Sequence, residues 1–418
     1  MRILALSDLY PPASLGGYEV AAAEVVEALR QRGHDVWVVA TDAPGPAGAP
    51  DPRLSRALRS RTGVSVDWWR LGEEARRQRD DRTAVDWALA AARPEVVFLW
   101  NVGGVSHQVL ARLMNGPLPT VVYVFGDWPL RKFRAPQDLD AWAAIFAPRP
   151  EAAWRKAARA ALSALARLRG VGTHAAPLRF DHLEYGSRFM MESMSGAGFR
   201  ARGSERLLYY GLFGEYARAV AEAAPPREAG RALLFVGRLW EAKGLHTVIE
   251  ALGILRRRGD ERATLTVAGP EEHPDYAAAL RRRAEELGVA GRVRWAGAVP
   301  RERLLPLYRS HDVLVFPSIY QEPFGIVQLE AMAAGCVVVG TGTGGSAEIL
   351  EPDGNALVYR AGDAPQLAER LTRLFAEPAL CARLRDGGRR TVRTRFLGSR
   401  MVDEIETHLG AIVRGAAS

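Results

Sequence analysis

Cysteine is nearly missing from this chain, with Cys336 and Cys381 the two copies in 418 residues. That excludes a disulfide-stapled scaffold and points to a reducing compartment, so a cytoplasmic protein is expected. Lysine is almost as scarce: of 56 basic residues, Lys132, Lys156 and Lys243 are lysine and the rest arginine. Long apolar runs are absent too. None approaches the ~20 residues that cross a bilayer. The opening MRILALSDLYPP lacks the basic start and cleavage site of a signal peptide and reads as a first β-strand ended by Asp8. The eight histidines form no His-x-His or His-x-x-x-His pair, so no metal site is expected. No G-x-S-x-G nucleophile elbow occurs, and the G-x-G-x-x-G of a dinucleotide oxidoreductase does not follow the first strand.

What is present is ordinary for a globular protein: 48% apolar and 25% charged residues, in a length suited to two or three domains. The net charge of +8 favours anionic partners (nucleotides, phospholipid headgroups or nucleic acid), or is a solvated basic face. Abundant Arg, Ala and Gly also fit a GC-rich coding bias, as in many bacterial genes. Apolar strands alternate with helical segments through the first half: Ile3 to Leu6, a helix from Tyr18 to Gln31, then strands at Val36 to Ala40, Val96 to Leu99, Val121 to Phe125 and around Leu207 to Tyr209. Residues 217 to 230, with Pro225, Pro226 and Gly230, read as a linker. The rhythm then restarts, with strands at Leu233 to Val236, Leu265 to Ala268, Val293 to Trp295, Val313 to Phe316 and Val337 to Val339, and a helix from Lys243 to Arg258. The expected architecture is α/β: two Rossmann-like, doubly wound domains facing a central cleft, with ligands beyond the carboxyl ends of the strands. The expected boundaries are 1–215 and 216–395, with 396–418 returning to the first domain as a helix.

Three clusters at strand-to-helix junctions carry chemistry. In FVGRLWEAKG, residues 235 to 244, Gly237 ends a strand and Arg238 and Lys243 flank a helix start, a setting for a diphosphate or a loop with two solvated cations. In EPFGIVQLEAMAAG, residues 322 to 335, Glu322 precedes a helix whose first turn holds Phe324, Gly325 and Ile326, and Glu330 lies eight residues on. That spacing suits one carboxylate on a sugar and one on a ribose; paired carboxylates also serve glycosidase acid/base chemistry, or sit on a solvated helix face. In GTGGSAEIL, residues 342 to 350, the glycines allow close backbone approach and Ser346 is expected to cap a helix carrying Glu348.

Taken in order, FVGRL-x-x-x-KG, VRWAGAVP at 293 to 300, FPSIYQEPFGIVQLEAMAAG and GGSAE resemble the retaining glycosyltransferases of the GT-B fold, family 4; SDLYPPASLGGYE with RGHDVWVV resembles that family's opening. The resemblance implies that Arg238 and Lys243 bind the donor diphosphate and that Glu330 holds the ribose hydroxyls. It implies that Glu322, with the amides of Phe324, Gly325 and Ile326, holds the transferred sugar. It further implies that Gly16 and Gly17 approach the donor phosphate and the acceptor, and that backbone near Gly297 and Ala298 meets the base. No metal, cofactor or protein nucleophile is implied, and domain closure would exclude water. The partners implied are a nucleotide-sugar donor, UDP being the commonest, and a small-molecule or glycan acceptor.

One departure stands out. Where many relatives carry a His-Asp pair after the strand reading VVYVF, this chain has Gly126-Asp127-Trp128. Either the donor lacks an ordinary 6-hydroxyl contact or the acceptor site is remodelled, and Asp127 becomes a candidate acceptor-binding residue or a plain turn aspartate. The segment from Pro129 to Gly170 matches the family least. Its basic helix WRKAARAALSALARLRG sets Trp154, Ala157, Ala158, Ala161, Leu162, Leu165 and Leu168 on one apolar face. Two readings stand: an ordinary helix with its Ala/Leu face in the core, or a contact with an acceptor or with the inner membrane surface. Among alternatives, a same-fold epimerase or phosphorylase remains open. A nucleic-acid-binding protein would want clustered basics with interleaved aromatics, whereas the arginines here are scattered.

Overall fold

The computed structural model describes residues 1–12, 17–42, 51–59, 71–130, 152–169, 171–172, 177–222 and 230–416. Gly16, the loop at 43–50 and the whole of the 131–151 segment lie outside them. The chain divides into two compact units, Met1–Leu208 with Val402–Ser418, and Tyr209–Met401.

Seven parallel strands form the first unit's sheet: β1 (Arg2–Ser7), β2 (Asp35–Thr41), β3 (Leu54–Leu58), β4 (Val96–Leu99), β5 (Thr120–Val124), β6 (His182–Tyr185) and β7 (Ser204–Leu207), in the order β3-β2-β1-β4-β5-β6-β7. Its central strands are unbroken apolar runs. RILALS is buried from its second residue on and VVFL throughout, as a parallel sheet covered on both faces requires. The helix Gly17–Gln31 turns Ala21, Ala22, Val25, Val26 and Leu29 inward at helical spacing. Ser106 and Ser187 cap the helices His107–Met114 and Arg188–Gly196, accepting from the amides of Val109 at 3.3 Å and Met190 at 3.1 Å. The chain's last helix, Gly398–Ala416, is fastened to this sheet by polar groups. His408 Nδ1 lies 2.7 Å from the fully buried carboxylate of Glu184, and its Nε2 lies 2.8 Å from Ser204 Oγ.

The second unit repeats the plan with six parallel strands: β8 (Ala232–Val236), β9 (Thr264–Ala268), β10 (Val293–Gly297), β11 (Val313–Phe316), β12 (Val337–Gly340) and β13 (Ala356–Val358), in the order β10-β9-β8-β11-β12-β13. β8 lies between β9 and β11, the point where the strand order reverses and where such sheets open a crevice. Leu245, Val248, Ile249, Leu252 and Leu255 from the helix Leu245–Arg257 pack on Leu233, Phe235, Val267 and Val315 of the sheet.

Several expectations need correction. The helix expected to begin at Lys243 begins at Leu245, after a separate 3-10 turn at Glu241–Lys243. The strand expected around Leu207 to Tyr209 is Ser204–Leu207. Three strands escaped notice: β3 and β13 are short edge strands, and β6, HLEY, holds a buried Glu184 that His408 of the last helix and Arg206 of β7 make tolerable. The basic helix forms at Ala153–Leu168, but its Ala/Leu face is not core. Ala166 is its one buried residue, while Trp154 is 68% and Leu168 84% exposed.

Candidate functional site

The carboxyl ends of adjacent strands in the second unit are laced together by backbone. The Gly237 amide donates to Ala268 O at 3.0 Å, and the Gly269 amide donates to Gly297 O at 2.8 Å. Beyond β8 the 3-10 turn Glu241–Lys243 leads into Gly244, at φ 71°, where a Cβ would stand 2.0 Å from the Pro317 carbonyl. Glycine therefore lets this turn lie against the segment that follows β11. The amides of Ile319 and Tyr320 complete the contact, each donating to Ala242 O at 3.0 Å.

That approach produces the central feature. Lys243 Nζ donates to Glu322 Oε1 at 2.6 Å, and Ser318 Oγ donates to the same oxygen at 2.6 Å. Glu322 is buried with its side chain 7% exposed, while Lys243 keeps 21% of its surface open. A carboxylate so enclosed needs charge-assisted partners, and here a cation and a hydroxyl share one oxygen.

The glycine cluster forms the wall behind it. Gly344, at φ 57°, would place a Cβ 2.5 Å from Glu322 O, and the Gly345 amide donates to that carbonyl at 2.7 Å. The 342–350 motif thus acts through Glu322 rather than as a separate site. Ser346, expected to cap a helix, instead lies inside the 3-10 turn Gly344–Glu348, its hydroxyl donating to Thr343 O at 2.6 Å. Glu348 accepts from Tyr209 Oη at 2.7 Å.

The helix beyond Glu322 runs Ile326–Ala334, so Phe324 and Gly325 precede its first turn rather than occupy it. Gly325 is the N-cap. Phe324, 1% exposed, packs in a ring cluster with Tyr209 and Phe396 at centroid distances of 5.9 and 5.8 Å. The amides of that first turn make a positive end beside the carboxylate. Glu330 sits within the helix, 2% exposed, accepting from Tyr308 Oη at 3.0 Å and from Arg301 at 3.2 Å. Burial, and next the Glu330 charge, push the Tyr308 hydroxyl well above its ordinary pKa, so it stays a donor.

Arg238 takes a different partner. Its guanidinium, 48% exposed, donates to both oxygens of Glu272 at 3.0 and 3.1 Å and lies 5.9 Å from the Trp240 ring centroid. Gly297 closes β10 half-buried, and Ala298 follows it exposed. In the first unit Gly17 opens the helix Gly17–Gln31, and Asp127 lies half-buried just beyond β5. At Gly126 a Cβ would meet nothing nearer than Trp128 Cδ1 at 4.0 Å, so a side chain has room there. Ser318, Arg301 and Tyr308 were missed from sequence. Ser318, four residues before Glu322 on the same loop, was the one with a local signal.

The first unit's strand ends are built of other material. Trp100, Tyr123, Phe125 and Tyr18 form an aromatic cluster, with Trp100 and Tyr123 4.8 Å apart. The Phe125 amide donates to Tyr18 Oη at 3.2 Å, and burial holds the Tyr18 hydroxyl above its ordinary pKa. Asp8, just beyond β1, accepts from the Gly104 amide at 2.9 Å, and Glu19 accepts from Asn101 at 3.3 Å. Among the described residues no group of three or more His, Cys, Asp or Glu could hold a metal ion, and no helix is long and apolar enough to cross a membrane.

Comparison with known proteins bears on both units. Residues 220–391 match the family described as glycosyl transferases group 1, and residues 15–177 match glycosyltransferase family 4. The chain is similar to an uncharacterized glycosyltransferase of Methanocaldococcus jannaschii, at 43% identity over 30% of each chain. It is also similar to the D-inositol 3-phosphate glycosyltransferase of Frankia alni, at 36% identity over 38% of this chain and 40% of the relative. The matched stretch spans about a third to two fifths of the length of these curated relatives. Among solved structures, sucrose-phosphate synthase from Thermosynechococcus elongatus superposes with a TM-score of 0.68 at 22% identity, covering 100% of both chains. The Anabaena protein HepE in complex with UDP and glucose gives 0.64 at 18% identity, covering 98% of this chain and 99% of that one. At such identities these likenesses carry the fold, which is GT-B.

Proposed function

The chain belongs to family 4 of the glycosyltransferases, and from that premise we propose that it moves a sugar from a nucleoside-diphosphate donor to a hydroxyl acceptor with retention of anomeric configuration. The observation that carries the reading is the Lys243–Glu322–Ser318 contact at the start of the helix Ile326–Ala334. It gathers a cation for a phosphate, a carboxylate for sugar hydroxyls and a set of helix amides. Arg238 supplies a second cation to the diphosphate by exchanging Glu272 for phosphate oxygens. Glu330, already oriented by Tyr308, receives the ribose hydroxyls in place of Arg301. Gly237, Gly297 and Ala298 offer backbone to the nucleotide; the phosphate and acceptor roles expected of Gly17 and Asp127 are part of the same proposal, and Gly16 lies outside the described residues.

In the proposed step the acceptor oxygen bonds to the anomeric carbon on the face that the nucleotide leaves. The bond from that carbon to the phosphate oxygen breaks, and the acceptor's proton passes to the departing diphosphate. Negative charge grows on that oxygen, and Lys243 and Arg238, already turned to the bound diphosphate, stabilise it. UDP is the proposed nucleotide, supported by the fold-related HepE structures that hold UDP, glucose and UDP-glucose. The chemistry requires neither a metal nor a cofactor.

A thermal-shift screen over UDP, GDP, dTDP and ADP sugars, followed by NMR of the product's anomeric proton with and without chelator, tests the reading. Stabilisation by one sugar nucleotide and an unchanged, chelator-resistant anomeric configuration are expected. An inverted product would refute retention, and indifference to all four nucleotides would refute the donor class.

A further inference from the structure

The helix Ala153–Leu168 in the first unit contributes almost nothing to the core. Sixteen residues rising ~1.5 Å each make a rod about 24 Å long. It touches the unit along a narrow strip: Ala166 is buried, and Arg159, Leu162 and Ser163 are half-buried. Trp154, Ala158, Ala161, Leu165 and Leu168 recur at intervals of four, three, four and three, which sets them on one face, and all five are exposed. Trp154 at 68%, Leu165 at 42% and Leu168 at 84% are among the largest apolar exposures in the described residues. A monomer has no use for an apolar stripe spanning a whole helix in water.

Charge says what covers it. The stretch from Ala153 to Arg169 carries Arg155, Lys156, Arg159, Arg167 and Arg169 and no carboxylate. At ~100° per residue, Arg155 and Arg169 border the stripe on one side, and Lys156 and Arg167 lie beyond a run of exposed alanines on the other. The Arg155 guanidinium lies 5.1 Å from the Trp154 ring centroid, pairing a cation with an amphipathic ring at one end of the rod. Like charge opposes a second copy docking helix to helix.

We infer that this helix is a docking surface for an anionic lipid bilayer, lying in the plane of the headgroups with Trp154, Leu165 and Leu168 inserted and the bordering Arg155 and Arg169 on the lipid phosphates. The inference stands independently of the transfer reaction. It would hold the enzyme at a membrane whatever sugar it moves.

The test is co-sedimentation of the full chain with phosphatidylcholine vesicles and with vesicles containing phosphatidylglycerol. A triple variant, Trp154→Ser with Leu165→Ser and Leu168→Ser, runs beside it. All three positions are exposed, so thermal stability should not change and lost binding cannot be blamed on unfolding. Expected are binding to the anionic vesicles alone, loss at high salt, and a drop of at least about tenfold in the triple variant. Arg155→Gln and Arg169→Gln should each cost roughly fivefold. Equal binding to both vesicles, no binding to either, or full binding by the triple variant would overturn the inference. So would helix-dependent self-association without lipid, which would assign the stripe to a second copy.

Discussion

The two sheets share a plan and differ at their strand ends. In the second unit the loops beyond β8, β11 and β12 converge, and charged side chains meet: Lys243 with Glu322, and Glu330 with Arg301 and Tyr308. In the first unit the loops beyond β4 and β5 end in packed rings, and there the Gly104 amide donates to Asp8 and Asn101 to Glu19. One end concentrates charge that a charged ligand can reorganise. The other ends in buried rings, with Trp100 1%, Tyr123 0% and Phe125 7% exposed, a packed floor that carries little charge. A shared topology thus carries two chemistries, set by the residues that follow each strand.

The sharpest way to break the contrast is to neutralise each side in turn. Lys243→Met or Glu322→Gln should lower transfer by about 10²–10³-fold, the scale of a lost charge-stabilising donor, whereas Asp127→Asn should cost less than about tenfold. Steady-state rates with a UDP-sugar would check this, and equal losses on both sides would erase the distinction. Next in size is Gly344→Ala, which combines a left-handed backbone with a Cβ 2.5 Å from Glu322 O. A stability loss of about 1–3 kcal/mol is expected, with impaired turnover, measured by denaturant titration. Tyr308→Phe comes third. It leaves one oxygen of the buried Glu330 short of its donor, costing about 1–2 kcal/mol of stability and raising KM for the nucleotide more than it lowers kcat.

Where the two units should agree is acid. His182 in the first and His246 in the second both have pKa values lowered mainly by burial, His182 also by the neighbouring His408. The unfolded chain therefore binds protons on these groups more readily than the folded one, and stability falls as pH drops below the unfolded value of about 6.5. Melting temperature should fall between neutral and mildly acidic pH, and His182→Gln or His246→Gln should each flatten that fall. A melting temperature that rises on acidification would reverse the sign.

Legibility in the sequence followed the same division. The charged strand ends could be read because glycine, lysine and glutamate are conspicuous at strand-to-helix junctions; a rare lysine at position 243 and two carboxylates eight residues apart leave a local signature. The aromatic strand ends could not, since Tyr18, Trp100 and Tyr123 lie far apart in sequence and each reads as core. The same limit hid Arg301 and Tyr308, which reach Glu330 from the 3-10 turn Arg301–Arg303 and the helix Leu304–Arg309. It also hid β6, whose buried Glu184 is held by His408, 224 residues later, and by Arg206. The basic helix failed for another reason: its periodicity was right, but periodicity does not say whether an apolar face meets protein or something else.

Calorimetric titration of UDP-glucose into the wild-type chain, Lys243→Met and Asp127→Asn tests the account most directly. If the nucleotide sugar is held at the second unit's strand ends, the wild type and Asp127→Asn bind with similar affinity and Lys243→Met binds at least about tenfold more weakly. Undiminished binding by Lys243→Met, with binding lost in Asp127→Asn, would place the donor on the other sheet and contradict the account.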